Sequence, residues 1–267
     1  MANFETNAEL YMTSPVHTAR GDETLDVVYR RLGELGISSL AVVDGQRLIG
    51  MISRTDLLRV GRREAGTRTK ADLLTFPPRR VSDVMTSEVV VVDPRDSLAV
   101  AAAKMTTQSI HRVFVTDGDD LVGVLSTHDL MRAVRDKGVK ILVSEHMSSP
   151  LFTIRANESI SLATDRLDKA RVSGVVVVED DWPVGVFTQV DALAARTLPR
   201  ETRVEEAMDT AILCMPVTSR LHRAAAQATR MRARRIIVTD SRSMTGILSG
   251  IDFARYVAST SVASATP

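Results

Sequence analysis

The 267-residue sequence lacks an excess of either charge, a second cysteine and any long hydrophobic run, and each absence removes a class of function. Its 34 basic and 33 acidic side chains leave a formal charge of +1, so no global field favours nucleic acid or an anionic membrane. The single cysteine, Cys214, excludes an intramolecular disulfide and a cysteine-built zinc site, and fits a reducing compartment. The start, MANFETNAEL, has neither the basic residues nor the apolar stretch of a secretory leader. The longest apolar runs, such as Val89–Val92 and Val175–Val178, are strand-sized and far short of a membrane span. Together these traits give the expectation of a cytoplasmic protein without a membrane partner. No P-loop, G-x-S-x-G or kinase signature is present. The histidines His17, His111, His128, His146 and His222 lack the spacing of a metal site. No catalytic residue and no metal ligand is therefore expected, and the reading is a binding module rather than an enzyme. A hydrophobic content of 44% with 25% charged residues is that of a globular chain able to bury a core.

What is present is a repeat. Met12, Met85, Met147 and Met208 each stand 38 residues before a glycine: Gly50, Gly123, Gly185 and Gly246. Each glycine opens one kind of segment: GMISRTDLL, GVLSTHDLM, GVFTQVDAL and GILSGIDFA. Three residues on comes a hydroxyl (Ser53, Ser126, Thr188, Ser249), and six on an aspartate (Asp56, Asp129, Asp191, Asp252). Between Met and Gly lie a short extended piece, an apolar stretch at helical spacing such as Leu25, Val28 and Leu32, and a β-branched run such as SLAVVD. The pattern predicts four β-α-β-β-α units of an α/β (α+β) fold, at 10–60, 83–138, 145–199 and 206–260. The residues 61–82 form a linker or insert. Its basic stretch Gly61–Arg80 reads as a connection between repeats, with nucleic-acid contact the alternative.

The segment at each glycine supports two chemistries. A hydroxyl followed three residues later by an acid is a capping box, which a purely structural repeat would use. The same helix N-terminus offers free N–H groups and a positive dipole end to a phosphate, and its carboxylate can accept bonds from a ribose diol. At 26 and 27 residues past the Met, repeats two and four carry His111–Arg112 and Arg234–Arg235, where repeats one and three carry Ser38–Ser39 and Ser173–Gly174. Such basic pairs suit phosphate oxygens through charge-assisted bonds. Cations at a helix C-terminus also simply complement its dipole. Trp182, in the polar turn of repeat three, is expected to plug a surface gap.

The phrases VSDVMTSEVVVVDP and VFVTDGDDLVGVLSTHDLM resemble the cystathionine-β-synthase (CBS) domain family, and the likeness covers nearly the whole chain. It implies two Bateman modules, repeats one with two and three with four, in an organisation similar to the gamma subunits of AMP-activated protein kinase, where four repeats form a flat disc. It further implies an adenine nucleotide (AMP, ADP or ATP, accompanied or not by Mg) as a regulatory, energy-sensing ligand. By this resemblance Ser53, Asp56, Ser126, Asp129, Thr188, Asp191, Ser249 and Asp252 would hold ribose and phosphate. His111, Arg112, Arg234 and Arg235 would meet phosphates. Thr13, Ile37, Ser38, Thr86, Ser148, Val172 and Ser173 would line the adenine pockets, with Asp209 breaking the hydroxyl pattern of the residue after the Met. The partners implied are a regulated target protein and a second copy of the chain. The alternatives are an assembly protein without a ligand, or a binder of S-adenosylmethionine, NAD or a cyclic dinucleotide.

Overall fold

The computed structural model describes residues 2–64, 76–170, 172–195 and 198–262. One order of elements recurs four times. Repeat one has β1 (Thr18–Arg20), α1 (Leu25–Glu34), β2 (Ser39–Asp44), β3 (Arg47–Ser53) and α2 (Arg54–Glu64). Repeat two has β4 (Val91–Val92), α3 (Leu98–Thr107), β5 (Arg112–Asp117), β6 (Asp120–Ser126) and α4 (Thr127–Asp136). Repeat three has β7 (Thr153–Arg155), α5 (Ile160–Lys169), β8 (Gly174–Glu179), β9 (Trp182–Thr188) and α6 (Gln189–Ala194). Repeat four has β10 (Cys214–Pro216), α7 (Leu221–Met231), β11 (Arg235–Asp240), β12 (Ser243–Ser249) and α8 (Gly250–Val262). A 3-10 turn precedes each: Ala8–Leu10, Val81–Asp83, Val143–Glu145 and Val204–Glu206.

The sequence pattern explains these elements. Leu25, Val28 and Leu32 recur at helical spacing and are the buried stripe of α1. Ser97 and Ser159 cap α3 and α5, their hydroxyls accepting from the amides of Val100 and Leu162 at 3.2 Å. Gly36, at φ +63°, ends α1, and the Ile37 amide then reaches back to the Leu32 carbonyl at 3.2 Å. In each repeat the first strand runs parallel to the second and the second antiparallel to the third, as in Ala19↔Val42 and Leu40↔Ile52. All four antiparallel pairs slip register beside the motif glycine, which faces Val42, Val115, Val177 or Val238.

The reason for glycine there is an exchange. Thr13 pairs with Val124, Thr86 with Met51, Ser148 with Ile247 and Asp209 with Val186, so the leading segment of each repeat lies against the third strand of its neighbour. Each methionine rests on the neighbour's glycine: Met12 on Gly123, Met85 on Gly50, Met147 on Gly246 and Met208 on Gly185. A Cβ at Gly50 would stand 2.8 Å from the Thr86 carbonyl oxygen and 2.9 Å from the Met85 sulfur, inside contact distance.

The chain divides into two compact units along another line. The first holds 1–16, 90–151 and 211–267, mainly repeats two and four. Its core is shared by α3, α4, α7 and α8 through Leu98, Met105, Leu130, Val134, Leu221 and Phe253. The second holds 17–89 and 152–210, mainly repeats one and three. Leu25, Leu32, Leu57, Ile160, Leu167 and Leu193 join its helices in one core. The helical cores join alternate repeats, and the leading segment of each repeat lies in the unit of its neighbour. Among the described residues no helix is long and apolar enough to cross a membrane.

The first residues of the insert, 61–64, continue α2, and 65–75 lie outside the described residues. At its far end Phe76 is buried and packs on Tyr29 with ring centroids 5.5 Å apart. Trp182 opens β9 at the tight turn from β8 and is 45% exposed.

Candidate ligand site

All four hydroxyl–aspartate pairs adopt one geometry. Asp56 Oδ2 accepts from the Ser53 amide at 2.9 Å and the Ser53 hydroxyl at 2.6 Å. The corresponding distances are 2.8 and 2.7 Å for Ser126–Asp129, 2.8 and 2.6 Å for Thr188–Asp191, and 2.7 and 2.7 Å for Ser249–Asp252. The strand therefore turns into the helix over a tight carboxylate cap, which engages Oδ2 fully and leaves Oδ1 as the oxygen available to other chemistry.

The cores bring these caps together in pairs. In the repeat-2/4 unit the first turns of α4 and α8 touch: a Cβ on Gly250 would collide with the Thr127 side chain. In the repeat-1/3 unit the first turns of α2 and α6 meet through Thr55 Oγ1, which donates to Gln189 Oε1 at 2.7 Å. Each unit thus sets two helix N-termini, with their positive dipole ends, side by side.

The basic pairs converge in the repeat-2/4 unit. His111 precedes β5, and its carbonyl accepts the Thr127 amide of α4 at 3.0 Å. Partial burial, then Arg235, Arg112 and Arg234, holds the His111 imidazole below its ordinary range, with Asp252 opposing. Burial and the neighbouring Arg234 guanidinium pull Arg112 down to about 10, against Asp129. Side chains from repeats two and four therefore act on one another, and like charges have been brought together beside paired helix N-termini.

The residues expected around the base are divided between the units. Thr13 and Ser148 arrive on exchanged segments beside β6 and β12 of the repeat-2/4 unit. Ile37, Ser38, Thr86, Val172 and Ser173 belong to the repeat-1/3 unit. Ser148 meets a motif carboxylate directly, its hydroxyl donating to Asp252 Oδ1 at 2.6 Å. Asp209, at the same offset, belongs with Asp191. Burial first, and then the Asp209 charge, raises the Asp191 carboxyl above its ordinary range.

Four further residues escaped the sequence reading. Arg54 donates to the Ile37 and Leu32 carbonyls at 3.0 and 2.8 Å, closing the end of α1. Arg132 binds Asp129 Oδ1 at 3.0 Å, and Arg255 binds Asp252 Oδ1 at 2.6 Å. The Tyr11 ring lies 5.8 Å from the Arg132 guanidinium. An aspartate three residues before an arginine was the available signal for the two pairs. Among the described residues no group of three or more histidine, cysteine or acidic side chains could hold a metal ion.

The fold and the caps define a class: tandem α/β repeats that interlock through exchanged segments and place helix N-termini in pairs. The CBS domain family profile matches residues 8–63, 81–136 and 143–198, more than half of the chain, and the chain belongs to that family. Repeat four, outside those matches, has the same elements and the same cap. An uncharacterized 33.4 kDa protein in the ribosomal RNA operon of Thermofilum pendens is 26% identical over 221 residues, covering 78% of this chain and 69% of that protein. The uncharacterized protein MJ1232 of Methanocaldococcus jannaschii is 32% identical over 120 residues, 45% of this chain and 40% of that protein. Among solved structures, protein MJ1225 of the same organism, proposed as an archaeal homologue of γ-AMPK, superposes with a TM-score of 0.82 at 16% identity. That match covers 94% of this chain and 99% of MJ1225 and shows a shared fold.

Proposed function

We propose that this chain is a regulatory CBS protein that binds adenine nucleotides and passes their presence to a partner protein. The observation carrying this reading is the cluster of His111, Arg112, Arg234 and Arg235 beside the N-termini of α4 and α8. Those groups suit phosphate oxygens, and the cap carboxylates suit the diol of a ribose. Ser53, Ser126, Thr188 and Ser249 hold the carboxylates in place, and the segments carrying Thr13, Thr86 and Ser148 lie along β6, β3 and β12, the strands that lead into those helices. A ligand that prefers one arrangement of the repeats shifts the population towards it, which is how binding becomes a signal.

Calorimetry with AMP, ADP, ATP and adenosine, each with and without Mg, tests this reading. The phosphorylated ligands should bind more tightly than adenosine, and Arg112→Ala should remove that preference in the repeat-2/4 unit. Equal binding of adenosine and ATP would remove the phosphate contacts, and no binding of any would leave the assembly role.

A second reading has one observation of its own. The Asp191–Asp209 pair gives the repeat-1/3 unit an extra negative charge, which suits a cationic adenosyl ligand such as S-adenosylmethionine. Titration of Asp209→Ser with AMP and S-adenosylmethionine separates the two. A gain for AMP with a loss for S-adenosylmethionine supports the cationic ligand.

A further inference from the structure

The four caps share their backbone and their Oδ2 bonds, yet differ at Oδ1. In the repeat-2/4 unit Oδ1 is already taken. Arg132 Nη1 donates to Asp129 Oδ1 at 3.0 Å, with its guanidinium against the Tyr11 ring. Tyr11 is held in turn by its hydroxyl, which donates to Asp136 Oδ2 at 3.3 Å. Arg255 Nη1 donates to Asp252 Oδ1 at 2.6 Å and to Ser148 Oγ at 3.1 Å, while Ser148 itself donates to Oδ1. Asp252 thus accepts four hydrogen bonds, the full capacity of a carboxylate, and is 1% exposed; Asp129 is 5% exposed.

In the repeat-1/3 unit, Asp56 and Asp191 accept side-chain hydrogen bonds only from their own Ser53 and Thr188 among the described residues. Both are less buried than their counterparts. Arg59 stands at the offset of Arg132 and Arg255 but makes no ion pair with Asp56 among the described residues, and Ala194 fills that offset in repeat three. The supporting residues also differ. Exchanged segments deliver Tyr11 and Ser148 to the repeat-2/4 unit, where the residue matching Tyr11 in the other unit is Val84 or Ala207. Neither can stack on a guanidinium.

We propose that Arg132 and Arg255 are latches that occupy the ribose-side oxygen of Asp129 and Asp252. Adenine nucleotides then fill the open carboxylates Asp56 and Asp191 first, and enter the repeat-2/4 caps only by displacing an arginine. The inference rests on the reading that the caps hold a ribose. Displacement exchanges one salt bridge for another: the diol takes Oδ1, and the released guanidinium is left beside the ligand's phosphate. A nucleotide can therefore open the latch where a nucleoside would strand the arginine.

The test is calorimetry with AMP on the full chain, comparing wild type with R132M/R255M, D56N/D191N and D129N/D252N. Methionine keeps an aliphatic stem against Tyr11 and leaves the carboxylate free. In the wild type, D56N/D191N should abolish the tight sites, and D129N/D252N should leave them. R132M/R255M should tighten the weaker sites about ten-fold, and AMP should raise its melting temperature by more than it raises that of wild type. Unchanged or weaker AMP binding by R132M/R255M, at a retained fold, overturns the latch and makes the arginines direct phosphate contacts or plain structure. Tight wild-type sites that survive D56N/D191N but vanish in D129N/D252N overturn it equally. Absence of AMP binding in every protein, wild type included, removes the nucleotide reading itself and the latch with it.

Discussion

The repeat-2/4 unit and the repeat-1/3 unit have the same strands, glycines and caps, and nearly opposite electrostatics. The first gathers His111, Arg112, Arg234 and Arg235, and ties its cap carboxylates to Arg132 and Arg255. The second has Ser38, Ser39 and Ser173 at the positions of the basic pairs and adds Asp209 beside Asp191. The difference teaches that the backbone of the repeat is insulated from the chemistry it presents. Glycine, methionine and cap are fixed by packing, whereas side chains at the strand mouths and in the first helical turns vary with the unit.

The largest effects should fall on what the units share. Gly123→Ala and Gly185→Ala each push a Cβ into the methionine of the exchanged segment, and at Gly185 also to 2.9 Å from the Asp209 carbonyl oxygen. Overpacking of this kind costs about 1–3 kcal/mol, read by urea denaturation monitored by circular dichroism. The comparison predicts similar losses in both units. A loss in one unit only would show that the exchange is not structurally equivalent.

That contact also marks how far the sequence could be read. The β-α-β-β-α unit and the offsets to Ser53 and Asp56 follow from local patterning and helix-start chemistry, and they are legible because neighbours a few residues apart enforce them. The 38-residue spacing from Met to Gly has another cause. Met12 touches Gly123 and Met85 touches Gly50, and an exchange between equal repeats preserves the spacing whichever glycine receives the sulfur. Sequence alone cannot separate the two cases. The grouping of repeats two and four was foreshadowed by His111–Arg112 and Arg234–Arg235. The Arg132 and Arg255 pairs were not, because Arg59 stands at the same offset without an ion pair. What decides is Tyr11 and Ser148, each more than a hundred residues from the side chain it supports.

The next effect separates the units. Arg112→Ala should weaken ATP binding at the sites of the repeat-2/4 unit ten- to a hundred-fold while changing adenosine binding and the sites of the repeat-1/3 unit little, since one charge-assisted bond to a phosphate is worth about 1.5–3 kcal/mol. Ser39→Ala, at the matching position of the repeat-1/3 unit, should change the ATP-to-adenosine ratio less than three-fold. Equal effects of the two substitutions in competition binding would erase the electrostatic contrast.

A smaller effect is set by pH. The His111 imidazole lies below its ordinary range because of partial desolvation and the charges of Arg235, Arg112 and Arg234. A phosphate beside it favours the imidazolium and raises its pKa, so binding takes up a proton and affinity rises as pH falls from 7.5 to 6. Without ligand the sign is reversed for stability: the folded state resists protonation, and this group's contribution is lost as pH falls below the ordinary histidine value. Calorimetry in buffers of different ionisation enthalpy should find proton uptake in the wild type and less in His111→Gln. Equal uptake in both would remove His111 from the phosphate cluster.

The smallest effect is the most specific to the repeat-1/3 unit. Asp191 titrates above the ordinary aspartate range, from burial first and the Asp209 charge second. Removing the second cause by Asp209→Ser should bring the Asp191 carboxyl down only part of the way, because burial remains; a carboxyl-detected NMR titration measures this. The folded state holds the Asp191 proton more tightly than the unfolded chain does. Its contribution to stability is therefore full at low pH and falls as pH rises through the folded pKa. Asp209→Ser should blunt that fall by less than about 1 kcal/mol, while an anionic ligand gains affinity in the same unit. An unmoved Asp191 titration would mean that the two carboxylates do not sense each other, and the contrast between the units would then rest on the cations of the repeat-2/4 unit.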